Sequence, residues 1–183
     1  TINVAIGQGT VLTTPLQLAT MIARLVNGGK GVLPWLVGYA DSAQVHNGDY
    51  PDLGFRPENL KLVMQGMWEV VNTQSGTAYA SRLQRPDVQM GGKTGTAQVR
   101  RITMAMRSAG VKNEDLPWKD RHHALFVGYA PTDVPRYAIG VVVEHGVGGS
   151  KAAAPVARDL LALTLQRDPA RTRIQVQNAG DPS

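Results

Sequence analysis

Cysteine is missing from all 183 residues. Disulfides and thiolate metal centres are therefore excluded, and a periplasmic or a cytosolic home fits equally well. Long apolar runs are missing too: every apolar stretch falls far short of the roughly 20 residues that span a bilayer. No signal peptide opens the sequence, an absence that constrains little where the N-terminus belongs to a longer parent. Aromatic residues make up 5%, and no aromatic RNA-binding signature accompanies the basic residues.

What is present describes an ordinary globular chain. Hydrophobic residues make up 43% and charged residues 18%, normal for a soluble domain, and the length suits one domain with a sizeable core. The net charge is +5. Arg100, Arg101, Arg107, Lys112, Lys119 and Arg121 cluster between two strand candidates. A basic balance permits nucleic acid, anionic lipid or an acidic polymer as partner. A solvated loop carrying cations is the simpler account, and no nucleic-acid partner is expected.

Thr14-Pro15-Leu16-Gln17 opens a helix, with Thr14 as N-cap, Pro15 in the first helical position and Gln17 closing a capping box. Leu18, Ile22 and Leu25 recur on one face, and Gly28-Gly29 ends the helix. Val32 to Tyr39 is expected to be a strand and Asp41 to Asp52 a polar loop. Pro57 opens a second helix, in which Leu60, Val63, Met64, Met67 and Val71 keep one-face spacing; the two methionines read as core. It should end between Asn72 and Gly76, ahead of a short helical turn over Thr77 to Leu83. Val88 to Val99 reads as a strand, followed by the basic loop Arg100 to Arg121. Ala124 to Ala130 and Tyr137 to Val143 are continuously apolar, as strands covered on both faces are. Pro131-Thr132-Asp133-Val134-Pro135 between them is a turn, giving an antiparallel hairpin. A last helix starts near Pro155, with Val156, Leu160 and Leu163 on one stripe. Residues 167–183 are polar and aperiodic, and a flexible tail is expected there.

Several motif fragments fail on inspection. Gly92-Lys93-Thr94 resembles the end of a phosphate-binding loop. The glycine required five positions earlier is Asp87, and the residues that follow read as extended instead of helical. No nucleotide site and no cofactor are expected. Gly146-Val147-Gly148-Gly149-Ser150-Lys151 departs from the dinucleotide fingerprint at Lys151, and Gly148-Gly149-Ser150-Lys151-Ala152 lacks the second glycine of a nucleophile elbow. A flexible turn into the last helix is the better account. His122 and His123 would point to opposite faces of a strand and cannot chelate one metal together; strand-end hydrogen bonding is their expected role. Glu144-His145 reads as a strand terminus.

Gly91-Gly92-Lys93-Thr94-Gly95-Thr96-Ala97 carries chemistry. Strand alternation puts Thr94 and Thr96 on one face and Lys93 on the other. Two hydroxyls two residues apart can hold an anionic group such as a carboxylate. Gly95 between them removes a side chain, so that a substrate backbone can lie close. An accessible edge here can pair with an extended peptide. The Thr96 N–H can then face a carbonyl under attack, the arrangement of an oxyanion hole. The Lys93 ammonium adds positive potential that favours anions and proton transfer.

The surroundings of this segment resemble the transpeptidase domain of class B penicillin-binding proteins, above all the elongation-type penicillin-binding protein 2 branch. The matching residues are Ile6-Gly7-Gln8-Gly9, Thr14 to Ala19, Asn27-Gly28-Gly29, Val71-Asn72, Gly76-Thr77-Ala78, Gly92 to Val99, His122 to Pro131 and Ala153 to Ala157. Motifs in this order over most of the chain are specific where a single triplet is not. The terminal tail and the loop from Arg101 to Lys119 fall outside the match. The resemblance implies an α+β fold, an antiparallel sheet flanked by helices, incomplete here: residues 1–166 would be the C-terminal part of a penicillin-binding, β-lactamase-like transpeptidase domain.

The resemblance also implies a periplasmic parent anchored in the inner membrane. That parent would cross-link peptidoglycan stem peptides ending in D-Ala-D-Ala through an acyl-serine intermediate, which β-lactam antibiotics also form. Lys93 and Thr96 would be catalytic. Thr94, Gly95, Thr96 and Gln8 would bind substrate, with no metal and no cofactor. The expected partners are the remainder of the domain, a membrane glycosyltransferase of the elongation machinery and its scaffold proteins. The Ser-x-x-Lys and Ser-x-Asn motifs of the family are missing from the chain: the residues three after Ser42, Ser75, Ser81, Ser108 and Ser150 are Val45, Ala78, Gln84, Val111 and Ala153. Because covalent catalysis needs nucleophile and base together, this polypeptide alone is expected to be inactive. Three alternatives stay open: a β-lactamase or carboxypeptidase of the same fold, a β-lactam-sensing receptor domain, and a non-enzymatic binding module using the basic loop.

Overall fold

The computed structural model describes residues 12–37, 39–40, 43–44, 48–85, 87–100 and 102–168. Helix α1 (Pro15–Val26) begins as its sequence dictates. The Thr14 hydroxyl accepts the Gln17 N–H at 3.2 Å, and the Gln17 side chain accepts the Thr14 N–H at 2.8 Å. A cap of this kind stabilises a helix by about 1 kcal/mol. Beyond Asn27, Gly28 and Gly29 take positive φ and turn the chain away.

The strand expected over Val32 to Tyr39 does not form over residues 32–37. Residues 31–35 carry no regular structure, and among the described residues of this segment pairing is confined to β1 (Tyr39–Ala40) with β2 (Ala43–Gln44) and to a bridge between Lys30 and Asp52. Pro34 has no N–H to give to a ladder. Leu33, Trp35, Leu36 and Val37 are all exposed, so no core pulls the segment into a sheet.

Helix α2 (Pro57–Asn72) follows its predicted periodicity, and Met67 and Val71 are buried. Its far end is tied to the strand that follows. Asn72 Nδ2 donates to Met90 O at 3.0 Å, and Trp68 Nε1 donates to Gln89 Oε1 at 2.8 Å. A short 3-10 turn over Tyr79–Ser81 leads into β3 (Gly91–Ala97). The basic connection is more ordered than a loop. It holds helix α3 (Met104–Ser108) and two 3-10 turns, Asn113–Asp115 and Trp118–Asp120, around a buried Leu116. Arg100 pairs with Asp120 at 2.8 Å, and Arg121 Nε donates to Leu116 O, so part of the cationic cluster faces the protein itself.

Strands β4 (His123–Ala130) and β5 (Tyr137–Val143) form the expected antiparallel hairpin, and the sheet order is β3-β4-β5. Thr94 lies opposite Phe126, and Thr96 opposite Ala124. One face of this sheet is closed. A π-helical turn (Gly149–Ala153) and helix α4 (Ala154–Gln166) bury Ala153, Ala154, Ala157, Leu161 and Leu165 with Ala124, Phe126, Ala130, Val141, Met90 and Val71. Here the structure corrects the sequence reading of the last helix. The stripe Val156, Leu160, Leu163 faces outward, each at least 43% exposed. The buried stripe uses alanines, whose small side chains let the helix approach the strands closely. After α4, Asp168 is buried and pairs with Arg136 at 3.0 Å.

The opposite face packs against α1 and α2. Helix α1 lies directly over Gly140, where an added Cβ would sit 2.8 Å from the Pro15 carbonyl oxygen. The buried set on this side is Ile22, Met67 and Tyr129. Between α1 and α2 an apolar groove of about 820 Å³ stays open, lined by Leu16, Met21, Leu53, Phe55, Leu60 and Val63 among others. No residue of β4 or β5 is exposed, so these strands are covered on both faces as their apolar runs suggest; the groove lies beside them, between the two helices, and Val63 stands exposed in it.

Candidate functional site

Strand β3 pairs only with β4 among the described residues, so its outer edge offers backbone donors and acceptors. The register fixes which side chains share a face. Thr94 and Thr96 oppose Phe126 and Ala124, which point toward α4; Lys93 and Gly95 oppose Val127 and Leu125 on the other side. Thr94, Gly95 and Thr96 are half-buried and Lys93 is exposed. The threonines are thus neither in a helix nor sealed in the core. Gly92 is required by packing, since a Cβ there would collide with the Phe126 ring.

The Thr94 hydroxyl lies 3.2 Å from the Thr77 hydroxyl. Thr77 carries no signal in the sequence beyond its place in the Gly76-Thr77-Ala78 match. Gly76 fits tightly against the Glu69 and Val70 carbonyls at the end of α2, which brings Thr77 over the strand. Lys93 Nζ donates to the Thr94 carbonyl oxygen at 2.9 Å, folding the ammonium back along β3. Gln8, with Gly7 and Gly9, lies outside the described residues.

The far end of β3 abuts a histidine cluster. The Val99 N–H points at His122 Nδ1 at 3.4 Å, and the His145 N–H donates to His123 Nδ1 at 2.9 Å. Both imidazoles therefore accept through Nδ1, as neutral rings do. Burial, and secondarily the neighbouring His123, hold the pKa of His122 below its ordinary value. His145 Nδ1 hydrogen-bonds the Arg121 carbonyl at 2.9 Å, and its ring packs 4.3 Å from that of Trp118. The predicted strand-end hydrogen-bonding role of these histidines is what the geometry contains. Among the described residues no group of side chains forms a metal site.

The turn after β5 carries backbone strain. His145 has φ 54° and Val147 has φ 70°. For a β-branched residue this is a genuine outlier, costing about 1–3 kcal/mol. The surroundings hold it. The Val147 N–H donates to His122 O at 3.0 Å, while Asn113 Nδ2 donates to Val147 O at 3.1 Å and Asn113 Oδ1 accepts the His122 N–H at 3.0 Å.

Residues 1–162 match the model of the penicillin binding protein transpeptidase domain. The chain belongs to that family. Within it, the likeness is to the penicillin-binding protein 2, or MrdA, type. The chain is 36% identical to peptidoglycan D,D-transpeptidase MrdA of Acinetobacter baumannii over 98% of its own length and 27% of the relative's. Among solved structures, penicillin-binding protein 2 of Pseudomonas aeruginosa in complex with WCK 5153 superposes with a TM-score of 0.67 at 37% identity, covering 86% of this chain and 31% of that one. The Helicobacter pylori penicillin-binding protein 2 in complex with MreC gives a TM-score of 0.70 at 30% identity, covering 90% and 27%. The transpeptidase segment thus spans about a quarter of the length of the curated relatives it matches.

Proposed function

We propose that this chain supplies one wall of a peptidoglycan D,D-transpeptidase site. The observation that carries the reading is the edge strand β3, with the hydroxyl-bearing Thr94 and Thr96 half-open on one face and bare Gly95 between them. In this reading the two hydroxyls bind the terminal carboxylate of a stem peptide ending in D-Ala-D-Ala. The strand edge pairs with the peptide backbone, and the Thr96 N–H donates to the developing oxyanion. Lys93 swings off the Thr94 carbonyl to join the proton network. Gln8 is proposed to bind substrate on family resemblance alone.

The nucleophile is a serine from sequence outside these residues, since no Ser-x-x-Lys occurs here. Its oxygen attacks the penultimate carbonyl, the C–N bond breaks, and D-Ala leaves with the serine proton. An amine of a neighbouring stem peptide then attacks the ester, forming the cross-link and restoring the serine. A β-lactam acylates the same serine. The apolar groove between α1 and α2 is where the remainder of the domain seats, an assignment supported by the much greater length of the relatives. The complete protein would work at the periplasmic face of the inner membrane beside a glycosyltransferase and scaffold proteins of wall elongation. The MreC complex of the Helicobacter pylori relative agrees with a partner of that kind.

The test is release of D-Ala from a pentapeptide donor by the complete gene product and by its Thr94→Val and Thr96→Val variants. Loss of one hydroxyl should lower kcat/KM by roughly tenfold or more, as for a hydrogen bond to a charged group. Full activity in both variants would reject the assignment of the carboxylate site.

A further inference from the structure

We propose that Asn113, in the connection between β3 and β4, is a positioning residue for the strand that grips the ligand. The inference rests on the proposed role of β3 and adds a residue that touches no substrate. Three contacts form the chain of action. Asn113 uses both ends of its amide at once, accepting the His122 N–H at 3.0 Å and donating to the Val147 carbonyl at 3.1 Å. That grip holds the turn in which Val147 keeps φ 70°, a conformation a valine abandons when its surroundings release it.

Two residues further on, Gly149 is buried and lies flat on the backbone of β3 and β4. A Cβ at Gly149 would collide with the Leu125 carbonyl oxygen and sit 2.7 Å from the oxygen and 3.0 Å from the nitrogen of Gly95. Gly95 is the residue between Thr94 and Thr96. Relaxation of the turn therefore shifts the surface on which the gripping segment rests. The β3–β4 connection thereby sets the geometry of the segment that carries Thr94 and Thr96.

The experiment compares the complete gene product with Asn113→Ala and Asn113→Asp by two independent readouts. The first is amide hydrogen exchange at Gly95 and Ala97, with Phe126 and Val127 of β4 as internal reference. The inference predicts exchange at the β3 amides faster by roughly tenfold relative to the reference, the scale of losing one or two hydrogen bonds. N113D should match N113A, because a carboxylate still accepts from His122 but cannot donate to Val147. The second readout is the second-order rate of acylation by a fluorescent penicillin, expected to fall roughly ten- to a hundredfold through misplacement of β3. Unchanged relative exchange overturns the inference, as does a wild-type acylation rate in the folded variant with only a lowered melting temperature. Recovery in N113D overturns the donor role. If the unsubstituted protein takes up no penicillin, the proposed function fails, and the exchange comparison alone decides the positioning role.

Discussion

Toward α4 the sheet buries Ala124, Phe126, Ala130 and Val141 against Ala154, Ala157, Leu161 and Leu165, every one at most 9% exposed. Toward α1 and α2 the buried set is Ile22, Met67 and Tyr129, and the groove beside them is lined by side chains as open as Leu16 at 61% and Phe55 at 56%. One face is finished by the chain's own last helix. The groove beside the other is built of the same apolar residue types and stays open among the described residues. Among the described residues the last helix closes one face of the sheet, while the groove between α1 and α2 stays open and β3 keeps an unpaired outer edge.

The comparison breaks most readily at Leu161. Leu161→Ala should destabilise the complete protein by about 2–5 kcal/mol in urea unfolding, the cost of a cavity in a sealed core. An effect under about 1 kcal/mol would mean this face is not the core. Leu16→Ala sharpens the contrast. It should cost about 1.5–3 kcal/mol in the complete protein if the groove is covered there, and close to nothing if the groove stays open.

Thr77→Val removes the hydroxyl beside Thr94 and should raise KM for a D-Ala-D-Ala donor roughly three- to tenfold with kcat less affected, by weakening ground-state binding. An unchanged KM would leave Thr77 a bystander. The smallest effect is on pH. The pKa of His122 lies below its ordinary 6.5 in the native state, so below 6.5 the unfolded chain binds more protons than the native one. Its contribution is full above 6.5 and declines as the pH falls from there through the lower native value. Urea midpoints at about pH 7.5 and about pH 5 measure this, and His122→Asn should flatten that part of the difference.

The elements that were legible in the sequence are those whose signals are local. The Thr14–Gln17 box, the apolar spacing of α2, the two apolar runs of the hairpin and the lysine-threonine-glycine segment all declared themselves. The misreadings came where tertiary context decides. Val32 to Val37 is largely apolar but pairs with no strand among the described residues, and Pro34 blocks a ladder. In α4 the larger side chains of Val156, Leu160 and Leu163 drew attention to the wrong stripe, because close approach to the sheet selects alanine. At the site, Thr94 and Thr96 were visible as a pattern, whereas Thr77 and Asn113 were not. Thr77 meets Thr94 from 17 residues away, and Asn113 meets Val147 from 34 residues away, distances over which no local pattern informs.

The central claim is that β3 forms half of a penicillin-reactive site whose nucleophile is supplied from elsewhere in the protein. Peptide mapping of the complete gene product after reaction with a penicillin tests it most directly. The account predicts a single serine-linked adduct outside these 183 residues and no adduct on the isolated chain. An adduct on Ser42, Ser75, Ser81, Ser108 or Ser150, or none anywhere, would contradict it.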